Sequence, residues 1–331
     1  MINAAVIGVG MMGRNHARVY AELEDVNLLA VADTDLEAAQ RVARTYRARA
    51  YQDYREMLDT EKPDIVSVAV PTHLHRLVAT DVIARGMHVF LEKPIATAVE
   101  DGQAIIDAAK EHGITLGVGH IERFNPAILA LKERLDDGQL GRIFQIHARR
   151  VGPFPPRVSD VGVVIDLATH ELNIMEYLTG SRAESVYAET ERKIHVAHED
   201  LLTGIIKFRD GCVGILDINW LTPAKIRELS LIGEKGMFLV NYLTQDLYFY
   251  ENDYLNGNWE GLVAIMGVSE GRRIRHNIRR VEPLRAELED FVRSVVEGRP
   301  PLVGGEEALR AVLLAQALLC SGREHRVVFL D

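Results

Sequence analysis

The chain has 331 residues, 47% of them hydrophobic and 26% charged, which is ordinary globular composition with enough apolar material for about two cored domains. Its net charge of −10 excludes a general nucleic-acid binder, and its two cysteines, Cys212 and Cys320, match no zinc spacing and read as reduced thiols. The N-terminus carries no basic segment followed by an apolar stretch, and the longest apolar run, Ala311–Cys320, is about half a membrane span, so a cytoplasmic protein without membrane or nucleic-acid partners is expected.

In chain order, short apolar runs at Ala4–Gly8, Leu28–Ala32, Ile65–Val70, His88–Leu91 and Thr115–Val118 alternate with stretches of helical period at Leu36–Tyr46, Leu74–Arg85 and Glu100–His112. That alternation predicts an α/β, doubly wound Rossmann domain over residues 1–122. Its first turn, Gly8-Val9-Gly10-Met11-Met12-Gly13, joins a strand to a helix and is a dinucleotide fingerprint in its proper context. Gly8 permits the tight turn, Gly10 lets the backbone approach a pyrophosphate, and Gly13 allows close helix–strand packing; Met11 and Met12 open the helix whose N-terminus suits phosphate. Asp33 ends the second strand 20 residues beyond Gly13, where a carboxylate accepts from ribose hydroxyls and repels a 2′-phosphate. Thr34 follows with no adjacent arginine, so NAD is expected rather than NADP.

Beyond residue 122 the rhythm changes. Ile143–Val151, Ser185–Arg192, Thr203–Arg209, Val213–Trp220, Ile226–Ile232, Gly236–Asn241 and Leu247–Tyr250 read as successive strands joined by tight turns such as Arg209-Asp210-Gly211. Residues 123–331 are therefore expected to form an α+β domain for substrate binding and oligomerisation, with a large, mostly antiparallel sheet. Helices at Pro283–Glu297 and Gly304–Ser321 close it, and Glu251–Val281 reads as a long loop.

The strand end Val68-Ala69-Val70-Pro71-Thr72 with His75, then Glu92-Lys93-Pro94, then the Asp166…His170 pair, resembles the Gfo/Idh/MocA oxidoreductase family over the whole chain. Gly117–Pro126, Ala148–Arg157 and Asp160–Gly180 are most similar to its branch that oxidises the C3 hydroxyl of UDP-N-acetylglucosamine with NAD. In that branch a partner aminotransferase then installs nitrogen, and the sugar can enter lipid A. Other branches act on inositols, plain hexoses or sugar acids. The resemblance implies that Pro71 and Thr72 border the nicotinamide ribose, that His75, Glu92, Lys93 and Pro94 lie near the cofactor, and that the C-terminal sheet builds a dimer or tetramer. One departure is Asn173, where many members carry an aspartate three residues after the active-site histidine.

Oxidising a secondary alcohol requires a group to take the hydroxyl proton while hydride departs to the cofactor. Lys93, at the carboxyl end of a parallel strand, is the first candidate to hold the reacting oxygen. His170 is the candidate base, with Asp166 on the same face if the stretch is helical, although the proton can equally leave through Lys93. His73 and His75 have no carboxylate or thiol at ligand spacing, so no metal is expected. Substrate-pocket candidates are His120, Arg123, Phe124, Asn125, Asn173 and Trp220; packing explains Phe124 and Trp220 equally well. Arg149, Arg150 and Arg157 suit a diphosphate, and the run Arg272–Arg280 is either a second anion site or a solvated face. A non-catalytic dinucleotide sensor is the competing reading, disfavoured by the trio Lys93, Asp166 and His170.

Overall fold

A computed structural model describes residues 1–155, 161–253 and 269–330, which group into two compact units: 1–124 with 282–313, and 125–281 with 314–331. Arg157 and residues 254–268 of the expected long loop lie outside the described residues. The helices are α1 (Met11–Glu22), α2 (Leu36–Tyr46), α3 (Tyr54–Glu61), α4 (His75–Ile83), α5 (Val99–Glu111), α6 (Pro126–Asp136), α7 (Thr169–Thr179), α8 (Pro283–Glu297) and α9 (Gly305–Glu324).

In the first unit, β1 (Ile2–Ile7), β2 (Val26–Ala32), β3 (Arg49–Tyr51), β4 (Ile65–Val68), β5 (His88–Glu92) and β6 (Leu116–Gly119) pair in parallel in the order β3-β2-β1-β4-β5-β6. Successive side chains of a strand point to opposite faces. Ala4 and Val6 accordingly pack with α1, α2 and α8, whereas Ala5 and Ile7 pack with α3, α4, α5 and the start of α9. Because both faces are covered, the strands are apolar throughout rather than alternating, and β4 is buried at every residue. The short β3 and α3 gave no periodic signal; α3 starts at Asp53, whose side chain accepts from the Arg55 amide at 2.8 Å. The strand order reverses between β1 and β4, and ligands of open α/β sheets bind in the crevice at that point.

In the second unit, β7 (Ile143–Pro153), β8 (Ala183–Glu191), β9 (Leu201–Phe208), β10 (Val213–Asn219), β11 (Leu221–Gly233), β12 (Gly236–Asn241), β13 (Asp246–Asp253), β14 (Ser269–His276) and β15 (Val328–Phe329) form one sheet in the order β14-β13-β12-β11-β7-β10-β9-β8-β15. All pairs are antiparallel except β7 with β10. Burial alternates along these strands, as a sheet with one covered face requires. Ile146, Ala148, Leu216, Ile218, Leu229, Leu231, Phe238 and Val240 are all fully buried.

Two expectations need correction. Residues 282–313, expected to close the second domain, belong to the first unit: Leu284, Leu288, Phe291 and Val292 of α8 cover one face of its sheet, and Ala308, Leu309 and Val312 of α9 pack in the core on the other. Glu251–Val281 is not a single loop, because β14 lies inside it and pairs with β13. Its arginines hid the strand: Arg273 stands over the rings of Tyr248 and Tyr250, at 4.7 and 5.3 Å, so charged side chains here cover aromatic surface.

Candidate active site

The fingerprint turn is set by contact distances. Gly8 has φ +86°, and a Cβ there would lie 2.6 Å from the Ala69 carbonyl oxygen; a Cβ on Gly13 would lie 1.7 Å from the Gly8 carbonyl oxygen. Gly10 is different, since a Cβ on it would meet nothing within 4 Å. Gly8, Gly10, Asp33, Thr34 and Pro71 line a cavity of about 250 Å³, together with Gln52, Tyr54 and Leu74, which sequence reasoning missed. The Asp33 carboxylate accepts from the Val9 amide at 2.7 Å and the Asp35 amide at 2.9 Å, which fixes it at the rim of this cavity. Met11 is exposed at the start of α1, and Met12 packs against the core. An open turn, a helix N-terminus and a fixed carboxylate fit a dinucleotide: the turn would hold the pyrophosphate and Asp33 the ribose.

Lys93 follows β5 and is half-buried. Beneath it, Glu92 accepts from the His16 ring at 2.9 Å and from the Lys93 amide at 3.2 Å. Burial alone would raise the Glu92 pKa; the hydrogen bond and charge of His16 hold it below its ordinary value, so this carboxylate stays ionised. Nothing in the sequence marked His16 beyond its place on the buried face of α1. His75 is 1% exposed, and its two ring nitrogens lie 2.9 Å from the Pro94 carbonyl and 3.0 Å from that of Val70. Burial lowers its pKa despite those carbonyls. A neutral ring has one N–H, so it donates to one of these carbonyls and packs against the other, between the turn after β4, which carries Pro71 and Thr72, and the Lys93–Pro94 segment.

His120 follows β6 and is 2% exposed. Burial first, then the charges of Lys93 and Arg123, push its pKa down to about 3, so the imidazole is neutral at physiological pH. Arg123 is buried with its guanidinium 3.6 Å from Glu307, and Phe124 is buried beside it.

In the second unit, Asn125 is the N-cap of α6: its oxygen accepts from the Ala127 amide at 3.1 Å and its amide donates to the Tyr242 carbonyl at 3.1 Å. Both ends of its side chain hold backbone. Asp166 sits in a widened, π-type turn, Val164–Ala168, that runs directly into α7 carrying His170 and Asn173, both nearly buried. Such turns concentrate at functional sites. Its start is held from 35 residues away, because the Val163 and Val164 amides donate to the carbonyl and carboxylate of Glu199, at 2.9 and 3.1 Å. Trp220 is 3% exposed, in edge contact with Phe154 and stacked on His195, so packing accounts for it.

The pairing of Arg149 with Arg150 on one diphosphate is overturned by strand geometry. Neighbours on β7 point to opposite faces. Arg149 stands on the outer face and pairs with Asp217 at 3.2 Å. Arg150 is 2% exposed, ion-paired with Glu171, which also accepts from the Tyr242 hydroxyl at 3.0 Å. No group of three or more metal-ligating side chains gathers among the described residues, and no helix among them is long and apolar enough to cross a membrane.

Comparison with known proteins adds independent findings. Residues 2–120 match the family profile described as oxidoreductase family, NAD-binding Rossmann fold, and residues 128–239 match the GFO/IDH/MocA C-terminal domain. The chain is 30% identical over 319 residues, 95% of both chains, to UDP-N-acetylglucosamine 3-dehydrogenase of Acidithiobacillus ferrooxidans. It is 25% identical over 342 residues, 98% of both chains, to myo-inositol 2-dehydrogenase of Thermotoga maritima. The solved structure of the Acidithiobacillus ferrooxidans enzyme matches with TM-score 0.85 at 29% identity, over 97% of each chain. Levoglucosan dehydrogenase in complex with NADH matches with TM-score 0.86 at 21% identity, over 100% of this chain and 99% of that one, which is a likeness of fold. The cofactor is NAD.

Two outcomes are expected from this geometry. Gly10→Ala should fold normally yet lose most of the thermal stabilisation given by added NAD, whereas Gly13→Ala should lower the melting temperature without ligand; the same response from both variants in differential scanning fluorimetry would contradict the contact distances. His120 titrates near 6.5 when unfolded and near 3 when folded, so the unfolded chain binds the extra proton between those values. Its contribution is complete above pH 6.5 and lost as pH falls, by roughly 2 kcal/mol at pH 5. Urea unfolding at pH 7 and pH 5 should show a smaller acid loss for His120→Gln; equal losses would remove the assignment.

Proposed function

The chain belongs to the Gfo/Idh/MocA family of NAD-binding oxidoreductases, and from that premise we propose that this sugar dehydrogenase oxidises the C3 hydroxyl of UDP-N-acetylglucosamine. The observation that carries the substrate is the 30% identity to UDP-N-acetylglucosamine 3-dehydrogenase over 95% of both chains, a span that includes both units. The 3-keto product is a substrate for an aminotransferase, which places the reaction before amino-sugar synthesis.

Bound NAD supplies the hydride acceptor. The work of this chain is to orient the sugar and manage one proton. Lys93 donates to the reacting oxygen and stabilises negative charge as it develops there. His170 takes the proton, with Asp166 orienting or charge-stabilising its imidazole; Lys93 is the alternative acceptor. His120, held neutral, can accept a hydrogen bond without adding another cation beside Lys93.

The outer face of the second unit's sheet is proposed to join copies of the chain. Register places Tyr187, Ile205, Ile215, Leu239 and Tyr248 in one row across it, with Ile232, Met237 and Tyr250 two residues away along their strands. Ile205 is 50% and Ile232 40% exposed. His147 and Ser230 stand between Ile215 and Leu239 in that row, so the apolar surface is two patches flanking a polar centre, and exposed apolar patches of this kind mark association surfaces.

Incubation with NAD and UDP-N-acetylglucosamine, with a carbonyl trap to draw off ketone, should give reduced cofactor. Lys93→Met should cut turnover by about 10²–10³-fold. The pH–rate profiles of His170→Asn and Lys93→Arg identify which group takes the proton. Reduction with an inositol or free hexose but not the nucleotide sugar would reject the substrate; NAD binding without turnover of any sugar would favour a sensor. Sedimentation velocity should show a dimer or larger that Ile205→Lys with Ile215→Lys breaks, and a monomeric wild type at micromolar concentration would refute the sheet interface.

A further inference from the structure

The C-terminal part of the basic run Arg272–Arg280 borders a cavity of about 500 Å³ in the second unit, lined by Gln245, Asp246, Arg275, His276, Asn277 and Arg280 among others. Arg275 is held by Asp246 at 2.8 Å, whereas Arg280 has no hydrogen-bond or ion-pair partner within bonding distance among the described residues and only feels the charge of Asp246. Two cations against one carboxylate leave the lining locally positive in a chain of net charge −10.

Two polar atoms sharpen the chemistry. The Arg134 guanidinium donates to His276 Nδ1 at 3.1 Å, which places the proton of a neutral ring on Nε2. That Nε2 is buried with no acceptor among the described residues. Gln245 holds a left-handed backbone, φ +56°, and its amide nitrogen donates to the Val281 carbonyl at 3.0 Å. This fixes the amide orientation and leaves its buried oxygen as an acceptor without a donor. A cation and an N–H donor call for a phosphate oxygen, and an acceptor beside them calls for a neighbouring hydroxyl. An ordinary solvated charge run would not combine these features at one cavity.

We propose that this cavity is a phosphate subsite for a phosphorylated sugar or nucleotide, with Arg280 on the phosphate, and with the His276 and Gln245 side chains turning their buried, unpartnered atoms toward the phosphate and an adjacent hydroxyl when the ligand binds. Taking the ligand as the diphosphate of a nucleotide sugar rests on the substrate reading above; the phosphate chemistry does not. The subsite replaces the Arg149–Arg150 fork, which the alternation of β7 forbids.

The test is calorimetric titration of the full chain with UDP, pyrophosphate and uridine, each with NAD saturating so that the dinucleotide turn is filled. Arg280→Gln should weaken UDP and pyrophosphate at least about tenfold, the scale of one charged hydrogen bond. Arg279→Gln removes the same charge one residue away, outside the lining, and should change neither. Equal effects of the two variants, or no effect of Arg280→Gln, would overturn the subsite, and would leave the substrate reading standing if UDP-N-acetylglucosamine is still turned over. Pyrophosphate lost with Arg280 while UDP binds no tighter than pyrophosphate would support the subsite and count against a nucleotide sugar.

Discussion

The close approach of Gly13 to the Gly8 carbonyl is the constraint on which the first unit's chemistry depends. With no Cβ at either position, the start of α1 presses onto the end of β1, and Gly8 in turn lies against the Ala69 carbonyl at the end of β4. Two strand ends and one helix start are thereby locked within contact distance. The free amides of the α1 N-terminus, the Asp33 carboxylate held by Val9, and the segment leading to Pro71 all inherit their positions from that lock. The His75 ring carries it onward: it lies between the Val70 and Pro94 carbonyls, donates to one and packs against the other, and so sets the Lys93–Pro94 segment against the turn after β4.

Electrostatics beneath Lys93 follow from burial. His16 and Glu92 form a buried pair, and the nearby Glu287, fully buried with both oxygens lacking a partner among the described residues, has its pKa raised well above the ordinary range by burial and by the charges of Glu92, Glu122 and Asp290. Glu287 is therefore held protonated while Glu92 keeps its charge. His120 is kept neutral on the other side. Environment separates groups of similar ordinary pKa into charged and uncharged states, and those states determine what each can do beside an ammonium.

Much of this was legible in sequence. The βα alternation, the fingerprint and the change of rhythm near residue 122 follow from period and turn chemistry, and α2, β12 and α8 begin and end at the residues their patterns suggested. What could not be read were contacts between residues far apart in the chain. His16 reaching Glu92, Glu199 holding the turn before Asp166, and Tyr242 meeting Glu171 have no local signature, since each depends on which strands become neighbours. Asn125 shows the converse: a polar residue in a pocket-like motif whose side chain is used to cap α6 and hold the Tyr242 carbonyl.

The arginines show why adjacency in sequence misleads about anion sites. Residues side by side on a strand face opposite ways, so Arg149 and Arg150 serve different surfaces. A buried guanidinium must be paired, and Arg150 is bound to Glu171 beneath α7, where removing either partner would leave an uncompensated charge. Such an arginine is committed to the fold and has little left to give a ligand. Guanidinium groups available to a ligand are those whose register leaves them at a cavity with fewer carboxylates than cations. On β14 and the residues after it, Arg272 is paired with Glu251, Arg273 covers tyrosine rings and Arg275 is held by Asp246; Arg279 and Arg280 remain, and of these only Arg280 lines the cavity. Counting positive charges along the chain therefore overstates the number of binding sites, and subtracting those already paired or stacked leaves a short, testable remainder.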